Sequence, residues 1–119
     1  MSVKKRTEPV NQIKVSSNET ISMTVTIGNG HIGSSTVKFR YTSDDPWQGE
    51  ISNQPLGKGK DIIGRTLRVV TRVLPASPNK KFVITHAFEN GDPAESVYHD
   101  EIGGNHDMLT LTADYFFIE

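Results

Sequence analysis

Cysteine is absent from this chain of 119 residues. The absence excludes disulfide bridges, thiolate metal sites and a cysteine nucleophile. Small secreted domains commonly depend on disulfides, so a chain of this length without any cysteine favours a reducing, cytoplasmic location. No other feature of the sequence indicates a cofactor, and we expect none.

Long apolar runs are also missing, since the longest cover only two or three residues, such as 116–118. This excludes a membrane span built from an apolar helix. The basic start, residues 1–9, has no apolar stretch behind it and therefore does not resemble a secretory signal peptide. We accordingly expect a soluble domain.

Alternation of apolar and polar residues is the main structural signal, and it is typical of half-buried strands. Gly-, Pro- and Asn-rich turn sequences separate the alternating segments. About seven strands at this spacing predict an all-β fold, an antiparallel β-sandwich of the immunoglobulin-like or a related type. Five segments alternate clearly, namely 20–27, 36–42, 66–74, 81–88 and 108–118, and two do so weakly, namely 50–53 and 96–102.

The first 19 residues are polar and carry few apolar side chains. We predict a flexible tail over residues 1–19, which adds at most a short edge strand around Ile13 and Val15. Residues 20–119 are predicted to form one sandwich domain.

Charge is distributed unevenly along the chain. All 13 Lys and Arg lie in residues 1–81, whereas residues 82–119 hold eight acids and no cation. One interpretation is that basic and acidic strands neutralise each other within the fold. The alternatives are a face that binds anions and self-association through complementary surfaces.

Two of the clear strands carry cations on the side opposite to their apolar residues: Lys38 and Arg40 on one strand, Arg68 and Arg72 on the other. If the two strands share a sheet, these residues form a basic outer surface. No aromatic residues alternate with the cations, so nucleic acid is a disfavoured partner.

The segment 28–33 matches the G-x-G-x-x-G dinucleotide fingerprint, but the sequence after it alternates like a strand. A Gly-rich hairpin is therefore the favoured interpretation, because the fingerprint needs a following helix. The sequence contains no G-x-S-x-G elbow, and we predict no catalytic residue. His86 alternates with apolar residues, which favours a hydrogen-bonded, half-buried side chain over a ligand.

If every connection reverses direction, the loops 42–48, 75–80 and 103–107 share one end of the sandwich. Trp47, the only tryptophan, would then lie among acids and amides, a setting suited to a sugar, a cation or a peptide. No metal signature is present, so a metal stays undetermined, and the alternative is that Trp47 closes the end of the core. The predicted ligand-binding residues are Asp44, Asp45, Trp47, Asn79, Asn105, His106 and Asp107.

These observations predict a non-enzymatic binding or assembly module with a protein or carbohydrate partner, recognised through loops or a charged sheet face. The alternative is a metal-dependent carbohydrate binder, or a small enzyme, that uses the loop end around Asp44, Trp47 and His106.

Overall fold

The computed structural model describes residues 2–76, 78, 80–103 and 106–119. Strands cover 63% of the residues and helix 4%, which confirms the all-β prediction. In the described part of the chain, no helix is long and apolar enough to cross a membrane. The elements are β1 (Val3–Thr7), β2 (Asn11–Val15), β3 (Thr20–Ile27), β4 (Ile32–Phe39), β5 (Trp47–Gly49), β6 (Gln54–Lys58), α1 (Gly59–Ile62), β7 (Thr66–Leu74), β8 (Lys81–Glu89), β9 (Gly91–Asp92), β10 (Glu95–Glu101) and β11 (Met108–Ile118).

These strands form two sheets that pack against each other. The larger sheet has the order β5-β4-β7-β11-β2-β9, and β1 also pairs with β11. The smaller sheet has the order β10-β8-β3-β6. Neighbouring strands are antiparallel, except that β1 and β2 run parallel to β11. The apolar side chains of both inner faces form one core.

Four of the five clearly alternating segments coincide with strands almost residue for residue, whereas the fifth, 36–42, overlaps β4 only over residues 36–39. β3, β7 and β11 have the predicted bounds, and β8 ends one residue beyond its predicted end. The weak segment 50–53 is not a strand, because the chain there passes between β5 and β6. That difference alters the direction of later strands, with consequences for the predicted site.

The N-terminal segment, predicted as a tail, contributes two strands to the larger sheet. β1 pairs with the first half of β11, and β2 pairs with the second half. Ile13 in β2 is fully buried, and Val15 is nearly so. A strand is present around these two residues, but β2 lies between β11 and β9 and is not an edge strand. Both β1 and β2 belong to the sandwich.

A chain of hydrogen bonds crosses the core between the sheets. His86 Nδ1 lies 2.7 Å from the Tyr115 hydroxyl, and His86 Nε2 lies 3.3 Å from Thr71 Oγ1. The chain continues from Tyr115 to the Tyr98 hydroxyl, 2.8 Å away, and from Thr71 to Ser35 Oγ, 2.9 Å away. His86 is fully buried, and burial lowers its pKa to about 4. The expected hydrogen bonds of His86 are present, but the side chain is fully buried and not half-buried as predicted.

Ion pairs join the two sheets where β1 lies near β10. Lys4 Nζ is 2.7 Å from Asp100 Oδ1, and Arg6 Nη1 is 3.3 Å from Asp100 Oδ2 and also pairs through Nε with Glu8. Burial alone would raise the pKa of Asp100, but hydrogen bonds from Lys4 and from the Glu101 backbone hold it below its ordinary value. Part of the uneven charge is therefore neutralised inside the fold, as one interpretation expected.

Candidate functional site

Two of the three loops predicted to share an end of the sandwich do so. The Ile102 backbone N–H donates to the Lys80 carbonyl at 2.9 Å, which joins the start of segment 103–107 to the end of segment 75–80. The turn before β4 lies there too, because the Ala76 N–H donates to His31 Nδ1 at 3.2 Å. Asn79 and Asn105, both predicted site residues, lie outside the described residues.

The third loop, 42–48, lies at the other end. Trp47 of β5 lies opposite Val37 of β4. The same row of paired residues continues across the sheet through Val69 of β7 to Ala113 of β11. Met108 begins β11 five residues before Ala113, roughly 17 Å away at about 3.4 Å per residue. Asp107 precedes Met108 and lies farther still. The registers therefore separate the Asp44, Asp45 and Trp47 group from His106 and Asp107, and the two groups lie too far apart to form one site.

The physical reason is a change in strand count. A single strand at 50–53 would make β4 and β7 run in the same direction, with their following loops at one end. The chain instead forms both β5 and β6 between them, and β4 pairs antiparallel with β7. The loop after β4 and the loop after β7 consequently lie at opposite ends.

Each end has its own local contacts. Asp44, an exposed side chain, lies 3.5 Å from Arg65, whose guanidinium is 4.1 Å from the Phe39 ring centroid. Trp47 meets the same ring edge-on at 6.3 Å and packs against the core, as the alternative interpretation of Trp47 expected.

At the opposite end, Asp107 is bound to Ser2. The Asp107 N–H donates to the Ser2 carbonyl at 2.8 Å, and Asp107 Oδ2 accepts from the Ser2 nitrogen at 2.9 Å. The His106 N–H donates to the Gly103 carbonyl at 3.1 Å. Within the described part of the chain, no three His, Asp or Glu side chains are grouped so as to hold a metal ion.

The outer face of the larger sheet is predominantly basic. β4 and β7 are adjacent, with Lys38 opposite Arg68 and Ser34 opposite Arg72, so the predicted basic surface exists. The registers of β1 and β2 add two cations that the sequence did not assign to it. Among the described strand residues of this face, the carboxylates are Asp92 and Asp114. The six cations are Lys5, Lys14, Lys38, Arg40, Arg68 and Arg72.

Asp114 holds two of the arginines in place. Arg68 donates from Nε and from Nη2 to the two carboxylate oxygens, each at 2.9 Å, and Arg40 donates from Nη1 at 3.2 Å. These hydrogen bonds raise the pKa of Arg68 above its ordinary value. One nearly buried carboxylate thus fixes two guanidinium groups, each of which has N–H donors left for a ligand.

Tyr41 stands beside these arginines, although the alternation predicted over 36–42 would place it on the side of the apolar residues, facing the core. It is 87% exposed, because β4 ends at Phe39 and Tyr41 adopts a φ of 63° in the following turn. The Arg40 guanidinium lies 4.7 Å from the Tyr41 ring centroid. The sequence held a usable signal, since the polar turn residues 42–46 follow Tyr41 directly.

A hollow of about 370 Å³ lies next to Tyr41. Its lining consists of Tyr41, the three cations Lys38, Arg40 and Arg68, and Thr36, Phe39 and Val70. A groove of about 450 Å³ lies elsewhere, where β5 leaves Ile32–Ser34 of β4 uncovered, and Ser, Thr and aliphatic residues make up most of its lining. Of the two, only the hollow combines fixed charges with an exposed aromatic ring.

The larger sheet's outer face is therefore the candidate site, and neither predicted loop group is part of it. Comparison of the chain with models of protein families, with curated proteins and with solved structures gives no match.

Proposed function

We propose that this domain is a non-enzymatic binding module that recognises an anionic partner with the outer face of its larger sheet. The observation that carries the proposal is the presence of six cationic side chains on that face against two carboxylates. The sequence left open whether recognition uses loops or a charged sheet face, and this proposal is the second of the two.

Two features support a binding role rather than simple solvation. The face is basic although the whole chain has a net charge of −1 and a pI near 6.4, so the positive potential is local. Lys38 makes no hydrogen bond or ion pair with any described residue, and its ammonium group is available. A predominantly basic surface of this kind attracts and orients an oppositely charged partner.

We also propose that the sandwich is related to the immunoglobulin-like class without sharing its strand order. In constant-type domains, the strand that pairs with strand B comes before the strand that pairs with strand C. With β3 taken as strand B and β4 as strand C, the order here is reversed. The partner of β4 is β7, which comes before β8, the partner of β3. Two packed sheets and a first strand alongside the last support a related sandwich.

A charge-reversal variant tests the binding proposal. Lys38→Glu combined with Arg72→Glu should weaken binding to a labelled polyanion such as poly-L-glutamate at least about tenfold, because each reversal removes roughly 1 kcal/mol of attraction. Fluorescence anisotropy at about 50 mM and about 300 mM salt measures this effect, and affinity should fall with salt as screening increases.

Lys58→Glu combined with Lys60→Glu is the matched control, since both residues are exposed and lie on β6 and α1, away from this face. Its change in net charge is the same, and its affinity should stay within about threefold of the unmodified protein, because distant charges are screened. Equal losses in the two variants would mean that net charge, and not this face, attracts the polyanion. A protein that binds no polyanion at low salt would overturn the proposal.

A further inference from the structure

We infer that the ligand of this face is an acidic carbohydrate, a uronate or sulfated sugar, whose ring lies on Tyr41 and whose acid group meets Arg40, Arg68 and Lys38. The inference rests on the proposed function and assigns the class of its partner. Three observations carry it: the exposure of the Tyr41 ring, the guanidinium groups fixed by Asp114 and the residues that line the hollow.

Tyr41 is presented as an aromatic platform. Its ring is 87% exposed and is held beside the Arg40 guanidinium, 4.7 Å from the ring centroid. A contact between guanidinium and ring limits the movement of both groups. The exposed side of the ring can then take the apolar C–H face of a sugar.

The cations beside the ring suit a carboxylate or sulfate. Asp114 fixes the guanidinium of Arg68 through two hydrogen bonds of 2.9 Å, and that of Arg40 through one of 3.2 Å. An arginine already held in one geometry loses little entropy when it binds an oxyanion, and its planar donors match two oxygens at once. Lys38, opposite Arg68 in the neighbouring strand, adds a mobile ammonium group.

The residues that line the hollow favour a sugar over the other anionic polymers. Beside the cations and Tyr41, the lining includes the apolar side chain of Val70 and the hydroxyl of Thr36. Single-stranded nucleic acid is usually held by several aromatic side chains in succession, whereas Tyr41 is the only exposed aromatic side chain among the described residues. An acidic peptide would use the cations but would gain little from the ring.

A second group of cations extends the surface along the strands. Arg72 lies four residues beyond Arg68 on β7, roughly 13 Å away, and Lys5 is in the same row as Arg72, two strands across. A row containing Val70 and Thr112 separates the two groups. Two groups of cations with a neutral gap fit a chain that carries acid groups at intervals.

Calorimetric titration with four probes tests the inference: a short heparin oligosaccharide, an oligogalacturonate, poly-L-glutamate and oligo(dT). We expect Tyr41→Ala to weaken binding of the two sugars at least tenfold and to change binding of poly-L-glutamate by less than twofold. Tyr41→Phe should retain the affinity for sugars, since the ring is kept. Ile32→Ala is the matched control, because Ile32 is also exposed on this sheet but lies outside the hollow.

Each other outcome decides against the inference in a distinct way. If all four probes bind with similar affinity and Tyr41→Ala has no effect, the carbohydrate inference fails while the proposed anion-binding face stands. If oligo(dT) binds most tightly and depends on Tyr41, the ligand is a nucleic acid. If no probe binds, both proposals fail together.

Discussion

Truncating Ile13 to alanine should lower the free energy of unfolding by about 2–5 kcal/mol, the range for removing a large aliphatic side chain from a packed core. Ile13 is fully buried in β2, opposite Phe117 of β11, and belongs to the single core cluster. The loss includes both the transfer of the side chain and the cavity left behind. Urea unfolding followed by Trp47 fluorescence measures it.

Gln12→Ala is the matched control, because Gln12 is the preceding residue and is exposed on the outer face. Its effect should be within about 0.5 kcal/mol. Deleting residues 1–15 should have a far larger effect, since β11 would lose its parallel partners along both halves. A truncated protein that still melts cooperatively near the original temperature would show that the segment is the tail suggested by the sequence.

The sequence was sufficient where alternation is long. β3, β7 and β11 run for eight residues or more, so their inward and outward positions repeat often enough to be recognised. β1 and β2 have five residues each, and their inward positions include Lys4, Arg6 and Asn11, whose polar groups reach partners between the sheets. A polar residue at an inward position interrupts the alternation of apolar and polar residues. Short strands of this kind therefore resemble a flexible tail in the sequence.

The predicted loop site depended on the number of strands between β4 and β7. That number is set by two short strands that are difficult to recognise in the sequence. β5 has only three residues and β6 contains a proline and a glycine, so neither alternates visibly. Detecting one strand where two exist reverses the direction of every later strand relative to β4. That single error placed Trp47 beside His106 in the prediction.

The basic face was predictable in part. Lys38, Arg40, Arg68 and Arg72 follow from alternation, and only the pairing of β4 with β7 had to be supplied by the structure. The contribution of Tyr41 was not predictable from alternation, because the residue continues the period of β4 after the strand has ended. Its position depends on backbone conformation in the turn and not on the apolar pattern.

Acidification should destabilise the protein through His86. In the unfolded chain a histidine has a pKa near 6.5, whereas burial lowers the pKa of His86 in the folded protein to about 4. The unfolded state therefore binds a proton between these values while the folded state does not. The stability contributed by neutral His86 is complete above about pH 6.5 and is lost as pH falls to about 4, roughly 3 kcal/mol in total.

Denaturant unfolding between pH 7 and pH 4 checks this loss against two variants. His86→Gln should be less stable than the unmodified protein at pH 7, but the difference should shrink by about 3 kcal/mol towards pH 4, since the variant lacks the titrating ring. Carboxylates titrate in both proteins and cancel in the comparison. His99→Gln, at an exposed position of β10, is the matched control for replacing a histidine by glutamine. Parallel curves for His86→Gln and the unmodified protein would contradict the assignment.

The hydrogen-bond chain also predicts which ring nitrogen of His86 carries the proton. The Asn11 side-chain amide donates to the Tyr98 hydroxyl at 3.3 Å, and we expect Tyr98 to donate to Tyr115 and Tyr115 to donate to His86 Nδ1. Nε2–H then donates to Thr71 Oγ1, and every member has a partner. A second proton on Nδ1 would need Tyr115 to turn its own hydrogen away from the ring, and that hydrogen would then lose its acceptor in the chain. Nitrogen NMR at pH 7 should therefore show His86 neutral and protonated on Nε2, and in Tyr115→Phe, which removes the donor to Nδ1, that preference should weaken.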